Sequence, residues 1–416
     1  MDTLYRYGLL WLAFAWYMLT ATAQTQPDFH TVSGVVRSED TGKGIAHISV
    51  TVPQEHVSTV TNADGYFVLK TRQVPRRVTL SHVGYRTKEV TLDRQTQNLE
   101  IMLKPSVVML TEIIVNSGDA REILKAAVAK IPANFSGNAE LFRGFYRETT
   151  RKGRRYIYVG EAVIDMYKTA YNRPVAGDRV RIDKARRLLS PNAADTLGAK
   201  VQGGPTLPLY VDVAKNIEYI FSDAEMMNYD YSLETPTAID DRPQIVIDMR
   251  PRLTVNYPLY FGRIFIDRNT LAFTRVELEL DMSDKAKATM AMLVRKPVGV
   301  RFKPKELRII ADYVTQQGVT RLNYVQSSSV FGCEWKRKLF SSNYRVTAEM
   351  VVTDRYPEAT PIAGRSSFDS RSSLFDKVEL FEDSHFWGKD NIIEPTENLL
   401  KAIDKLKHKL QKDRSE

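Results

Sequence analysis

The chain has 416 residues, of which 43% are hydrophobic and 26% charged, with a formal net charge of +9. That length accommodates two or three domains, and the ratio of apolar to charged residues excludes disorder as the global state. The positive balance favours acidic surfaces such as lipid headgroups or polyanionic glycans, although the basic residues are spread along the chain rather than gathered in one block.

The chain opens with Arg6, an apolar run from Leu9 to Leu19, and Ala21-Thr22-Ala23 ahead of Gln24. The run is too short to cross a bilayer, so residues 1–23 read as a secretory signal cleaved between Ala23 and Gln24. Asp2 and Arg6 cancel, so removing the signal leaves the net charge unchanged. Export makes nucleic acid an unexpected partner. The single cysteine, Cys333, excludes an internal disulfide and also the modified cysteine that a lipoprotein carries after its signal. With no His near it in sequence, it reads as a strand residue.

Strand-like runs then recur about every ten residues, at Val32–Arg37, Ile45–Val52, Val57–Val60, Tyr66–Leu69, Val78–Val83, Lys88–Leu92 and Leu99–Leu103. This rhythm predicts a β-sandwich over 31–104. Asp64-Gly65 separates two of the runs and predicts a tight hairpin there, because glycine takes a positive φ without a Cβ clash. Gly42 and Gly84 mark further turns, the second leaving Tyr85 free to point inward.

These runs and turns, with Thr59-Val60-Thr61-Asn62-Ala63-Asp64-Gly65-Tyr66-Phe67, Val83-Gly84-Tyr85 and Leu110-Thr111-Glu112-Ile113-Ile114-Val115, resemble the carboxypeptidase regulatory-like domain, a transthyretin-like sandwich. That domain follows the peptidase unit of some zinc carboxypeptidases and leads the starch-utilisation-type TonB-dependent outer-membrane receptors of Gram-negative bacteria. The resemblance implies a binding or bracing module, located in the periplasm or at the outer membrane. Asn62 stands where that family usually has Asp, and Gly44 where Pro is common.

Beyond a linker at 105–118, Asp119 with Glu122 predicts a helix start, and Ile123, Leu124, Ala127, Val128 and Ile131 share one helical face before Pro132. The period then changes to that of strands. Phe142–Arg151 and Arg154–Tyr167 flank Lys152-Gly153 as a long hairpin, and Ile245–Met249, Arg263–Asp267, Leu307–Val314 and Thr320–Gln326 add strands. Val276, Leu278, Leu280 and Met282 alternate with charged residues, as do Tyr344, Val346, Ala348, Met350 and Val352 with polar ones, so 119–355 predicts a curved antiparallel sheet with a few helices. The fold class is thus mainly β, a sandwich followed by a larger α+β domain. At the level of architecture the larger domain resembles the periplasmic lipoprotein-localisation carriers, which implies shelter for an acyl chain.

Between the strands lie a basic stretch with Arg179, Arg181, Lys184, Arg186 and Arg187, and a helically spaced run Leu209–Phe221. Arg179, Arg181, Arg186 and Arg187, with Lys336, Arg337 and Lys338, are the candidate contacts for an anionic surface. An extended arm over 356–395 carries Phe386 and Trp387, which are expected to anchor it by burial. A basic amphipathic helix over 396–412 follows, with Leu399, Leu400, Ile403, Leu406 and Leu410 in one stripe; docking onto its own domain is favoured over lying on a membrane.

No His is followed by a Glu three residues on, and no His-Glu-x-x-His, Gly-x-Ser-x-Gly or phosphate-binding glycine loop occurs. No catalytic residue, cofactor or metal ligand is therefore expected, and Asp240-Asp241 reads as a turn. The leading expectation is an exported, non-enzymatic envelope protein that binds a lipid-like ligand or an outer-membrane protein, with peripheral membrane contact. Two alternatives stand beside it: a hydrolase of envelope glycans or lipids using a carboxylate pair assembled by the fold, and a scaffold docking on a TonB-dependent receptor.

Overall fold

The computed structural model describes residues 29–52, 54–92, 97–106, 119–192, 195, 200, 201, 203–335, 341–356, 359–369, 374 and 386–415. The expected signal with Ala23 and Gln24, the Leu110–Val115 motif, and Lys336, Arg337 and Lys338 lie outside these residues.

Seven short strands build the leading sandwich: β1 (His30–Ser38), β2 (Ser49–Val52), β3 (Val57–Val60), β4 (Tyr66–Thr71), β5 (Arg77–Ser81), β6 (Lys88–Thr91) and β7 (Leu99–Leu103). They form two sheets, ordered β4-β1-β7 and β3-β2-β5-β6, closed over Val32, Ile48, Phe67, Leu69, Leu80 and Ile101. The hairpin expected at Asp64-Gly65 is instead a crossing between sheets, since β3 pairs with β2 and β4 pairs with β1. The local turn chemistry is nevertheless as expected. Gly65 takes φ +82°, a Cβ there would stand 2.4 Å from the Val36 carbonyl oxygen, and Asn62 Oδ1 accepts from the amides of Asp64 and Tyr66 at 2.9 and 3.0 Å. Turn chemistry fixes the path of four residues and leaves open which strands share a ladder.

The second region begins with α1 (Ala120–Ala129), whose first turn is capped by Asp119 accepting from the Arg121 amide, and α2 (Ile131–Asn134), with Pro132 in its first turn. The strands that follow are β8 (Glu140–Lys152), β9 (Arg155–Lys168), β10 (Arg179–Leu189), β11 (Lys200–Val201), β12 (Tyr229–Leu233), β13 (Thr237–Ile239), β14 (Arg242–Pro251), β15 (Tyr260–Asp267), β16 (Phe273–Leu280), β17 (Leu293–Arg295), β18 (Val300–Gln316), β19 (Val319–Trp335) and β20 (Ser342–Tyr356). Among them run α3 (Leu207–Val211), α4 (Asp223–Met226) and α5 (Lys285–Met292), and the chain ends in α6 (Glu397–Ser415). Eleven strands make one sheet, β10-β9-β8-β20-β19-β18-β16-β15-β14-β12 with β13 added at β14, and its described pairs are all antiparallel.

Two expectations change here. The run Leu209–Phe221 is not one helix but α3, a turn and a single 3-10 turn at Ile217–Tyr219, because Asp212 is drawn into a buried cluster: Lys168 Nζ lies 2.5 Å from its Oδ2, and the Tyr171 and Tyr313 hydroxyls donate to it at 3.0 Å each. The basic stretch, placed between the strands by sequence, is itself the edge strand β10. Asp240-Asp241 forms the expected turn, with φ of 51° and 54° between β13 and β14. Cys333 is buried in β19, where desolvation pushes its thiol up to about 11.

One face of the large sheet, the helix face, is filled by Leu124, Phe142, Tyr146, Phe221, Met249 and Phe273 with their neighbours on α1 to α4. On the opposite, outer face lie the sandwich, the arm and α6. Leu399, Ile403 and Leu406 of α6 pack with Val159 and Leu188, so the helix docks on β9 and β10 as expected; Leu400, placed in the same stripe by sequence, stays 47% exposed. Among the described residues no helix is long and apolar enough to cross a membrane.

Candidate functional site

The outer face is organised by charge. In strand register, Glu349 of β20 stands opposite Arg147 of β8, which stands opposite Glu161 of β9, which stands opposite Arg186 of β10. A second row repeats the order as Asp354, Arg143, Asp165 and Arg181. Side chains alternate across a sheet, so the four-residue steps on β8 and β9 hold both rows on one face. The steps on β10 and β20 are five residues, and in each a register shift, at Ile182/Lys184 and Val352/Asp354, absorbs the odd residue. Directly opposite, unlike charges stabilise a sheet.

The contacts follow the register. Arg147 reaches Glu161 at 2.7 Å and Glu349 at 3.5 Å, Arg186 reaches Glu161 at 2.9 Å, and Arg181 and Arg143 reach Asp165 at 2.7 and 3.0 Å. Burial acts to lower the Arg147 pKa, but Glu161 and Glu349 outweigh it and hold the guanidinium above its usual range. Desolvation raises Glu349 and Glu394 above the usual carboxylate range, with Arg147 opposing in both.

The arm closes over these rows. Trp387 is buried edge-on to Phe145 at 5.3 Å and lies under Arg186, whose guanidinium is 4.7 Å from its ring; Phe386 is half-buried beside it. Arg147 donates to the Ile393 carbonyl at 2.6 Å, and Asp390 receives both Arg143, at 3.0 Å, and Lys184. Strand β3 of the sandwich is buried along its whole length: Ser58 donates to the Val352 carbonyl at 2.6 Å and Thr59 to that of Ile392 at 3.0 Å. On β4, the Asn391 amide pairs with the backbone of Lys70 in both directions, at 2.6 and 2.9 Å. The Asp64 turn also meets the end of the arm: Asn62 donates to the Pro395 carbonyl at 3.2 Å, and Asp64 accepts from the Glu397 amide at the start of α6 at 2.9 Å.

Where β4, β8, the end of β20 and the arm converge, they leave a cleft of about 350 Å³ lined by Phe29, Lys70, Arg72, Arg143, Asp354, Tyr356, Lys389 and Asp390. Burial acts to lower the Arg143 pKa, but Asp183, Asp390 and Asp165 together raise it. For Lys70 burial prevails and its pKa falls, with Glu394 and Asp390 opposing. Arg72 pairs with Asp354, and Tyr356 donates to the same carboxylate at 3.2 Å. A smaller cavity of about 40 Å³ lies where the sandwich meets β16, β18 and β19, bordered by His47, His82, Arg275, Asp312, Asn323 and Tyr324. There His47 stacks on Tyr324 at 5.0 Å, and burial followed by Arg275 lowers its pKa to about 3.

The candidate contacts for an anionic surface are thus distributed. Arg181 and Arg186 belong to the charge rows, Arg179 donates to the Ala176 and Asp178 carbonyls at 2.6 and 2.8 Å, and Arg187 stands on β10 opposite Gly160. Sequence reading missed Arg143, Arg147, Glu161, Asp165, Glu349 and Asp354. Their signal is like charge repeated four or five residues apart within strands, with the sign alternating from one strand to its neighbour. A carboxylate pair working as acid and base would have to open into a cavity; Glu349 and Glu394, whose pKa values are raised, line neither of the two cavities. Among the described residues no group of three or more His, Cys, Asp or Glu could hold a metal ion.

No curated protein matches the chain in sequence. Solved structures with some likeness include a DUF1329 family protein from Desulfovibrio piger, 10% identical, covering 56% of this chain and 93% of that one at a TM-score of 0.23. Lipovitellin, described for its lipid–protein interactions, is 9% identical over 60% of this chain and 28% of its own, at a TM-score of 0.26. A protein from Bacteroides fragilis, described as membrane-associated and of unknown function, is 8% identical over 79% and 98% at a TM-score of 0.14. At TM-scores this low, none of them fixes the fold of the large sheet. Residues 32–115 match the family model of the CarboxypepD_reg-like domain, and the leading sandwich is thereby similar in sequence as well as in strand pattern to that non-catalytic family.

Proposed function

We propose that the protein is exported to the envelope of a Gram-negative bacterium and acts there as a binding protein, not an enzyme, with the cleft between sandwich, arm and large sheet as its ligand site. The supporting observation is that three segments far apart in sequence meet at one cleft and are locked there by buried and half-buried side-chain to backbone bonds. The sandwich is a brace in this arrangement rather than a module on a tether. Arg72 and exposed Lys389 line the cleft together with Asp354, Asp390, Phe29 and Tyr356, which suits a small polar ligand carrying an anionic group. The packed helix face supports an acyl-chain ligand less well, because apolar side chains already fill it.

Native mass spectrometry of the protein purified from its own envelope tests this reading. We expect a bound mass that is lost in Lys389→Glu. A bare monomer, or a mass the variant retains, overturns the ligand site; recovery of an outer-membrane receptor with the protein replaces it by the scaffold reading.

A further inference from the structure

Far along the chain from the cleft residues, between β16 and β18, the polypeptide leaves the large sheet on a short excursion through α5, β17 and the turn 296–299. One side of this excursion is fixed. Ala288 and Met292 pack with Leu280, Val300, Phe302 and Phe331, and β17 pairs with β11. Ala288 and Met292 are four residues apart on one helical face, which places Met290 on the opposite side. Met290 is 62% exposed, Val294 47% and Val298 102%, three large apolar side chains presented to solvent within nine residues.

Cations are interleaved with them. Residues 284–302 hold five basic residues and one acidic one, Asp284, which caps α5 and pairs with Lys287. Lys285, Arg295 and Lys296 are exposed and form no ion pair among the described residues, while exposed Arg301 stands opposite Glu334 of β19.

We propose that this tip docks on an anionic lipid bilayer, with Met290, Val294 and Val298 entering the boundary between headgroups and acyl chains while Lys285, Arg295 and Lys296 lie among lipid phosphates. Both halves of the pattern are needed. Exposed apolar side chains alone would suit any apolar partner, and cations alone any acidic surface; a bilayer stacks an anionic layer on an apolar one and satisfies the two together. A folded protein is the poorer fit, because a stable protein interface buries on the order of 800 Å² on each side, and this tip offers three side chains. The inference is independent of the cleft.

The test uses Val298→Cys carrying an environment-sensitive fluorophore. The native Cys333 is buried, so the label reports the tip whatever else in the chain touches lipid. Vesicles of phosphatidylglycerol and phosphatidylethanolamine are expected to shift the emission to the blue, phosphatidylcholine vesicles to leave it unchanged, and added salt to reverse the shift. The same label at Val74, also exposed but on the sandwich, is expected to stay silent. Arg295→Glu with Lys296→Glu in the labelled protein is expected to raise the lipid needed for half the shift by about tenfold or more, since each basic residue near an anionic surface contributes roughly a fivefold factor. No shift, an equal shift on phosphatidylcholine, or a shift that ignores the charge reversal overturns the proposal. So does binding of the tip to an acidic protein without any response to vesicles.

Discussion

On its helix face the eleven-stranded sheet is covered by aliphatic and aromatic side chains, with Lys168 and Asp212 enclosed among them. On its outer face, residues such as Arg147 and Glu161 are buried just as deeply, and two rows of alternating charge run beside the apolar seats of Trp387 and α6. Apolar packing is non-directional and tolerates small shifts of strand against strand, whereas a row of charges is stable only when each strand sits in one register. The outer face is therefore the more exacting of the two. Its exactness lets the sandwich and the arm settle on a charged surface on which Arg147, Glu161, Arg143 and Asp165 are paired.

Three measurements bear on this contrast. Arg147→Ala leaves Glu349 without its arginine and Glu161 with Arg186 alone, and removing one partner of a buried pair costs about 3–5 kcal/mol. The loss is read by chemical denaturation together with new protease cleavage in the arm around Ile393. A loss under about 1 kcal/mol with the arm still protected would mean that apolar burial of Trp387, and not charge, holds the outer face. Leu124→Ala on the helix face removes a buried side chain from α1 and costs about 3 kcal/mol through lost transfer energy and the cavity left behind. It is expected to lower stability without exposing the arm, and arm cleavage in this variant would show that the two faces fail together.

The smallest effect is a pH dependence at the sandwich junction. His47 is neutral in the folded protein because burial and then Arg275 lower its pKa to about 3, and burial lowers His82 as well. An unfolded histidine titrates near its usual value, so between that value and about 3 the unfolded chain binds more protons. Stability is then fully present above the unfolded pKa and is lost as pH falls towards 3, by about 1–2 kcal/mol at pH 5. His47→Gln is expected to flatten the slope of stability against pH in that window, while a slope that is unchanged would place the acid sensitivity elsewhere.

Most of the strands were legible in the sequence because hydrophobic alternation reports one buried face directly, as in β16 and β20, and because Lys152-Gly153 marks a hairpin whose partners are adjacent in the chain. The cap at Asp119 and the burial of Trp387 were legible for similarly local reasons. Pairing at the sandwich turn was not, since Gly65 serves a hairpin and a crossing equally well. Strand β10 escaped notice because its arginines read as a basic stretch facing an anionic surface until Asp165 and Glu161 are seen on the neighbouring strand. The cleft was equally hidden: Lys70, Arg143, Asp354 and Asp390 carry no shared motif, and only the meeting of β4, β8, β20 and the arm brings them together. Asn62 was visible as a departure from its family, but its reason is tertiary: its amide nitrogen donates to Pro395, which an aspartate could not do.

The seat of Trp387 is assembled from residues made early, Val60, Phe145 and Arg186, and filled by one made long after them. Synthesis runs from the amino end, so that seat stays wet until the polypeptide has emerged as far as the arm. A chain that stops short of the arm is left with an open, water-filled groove in place of a finished wall.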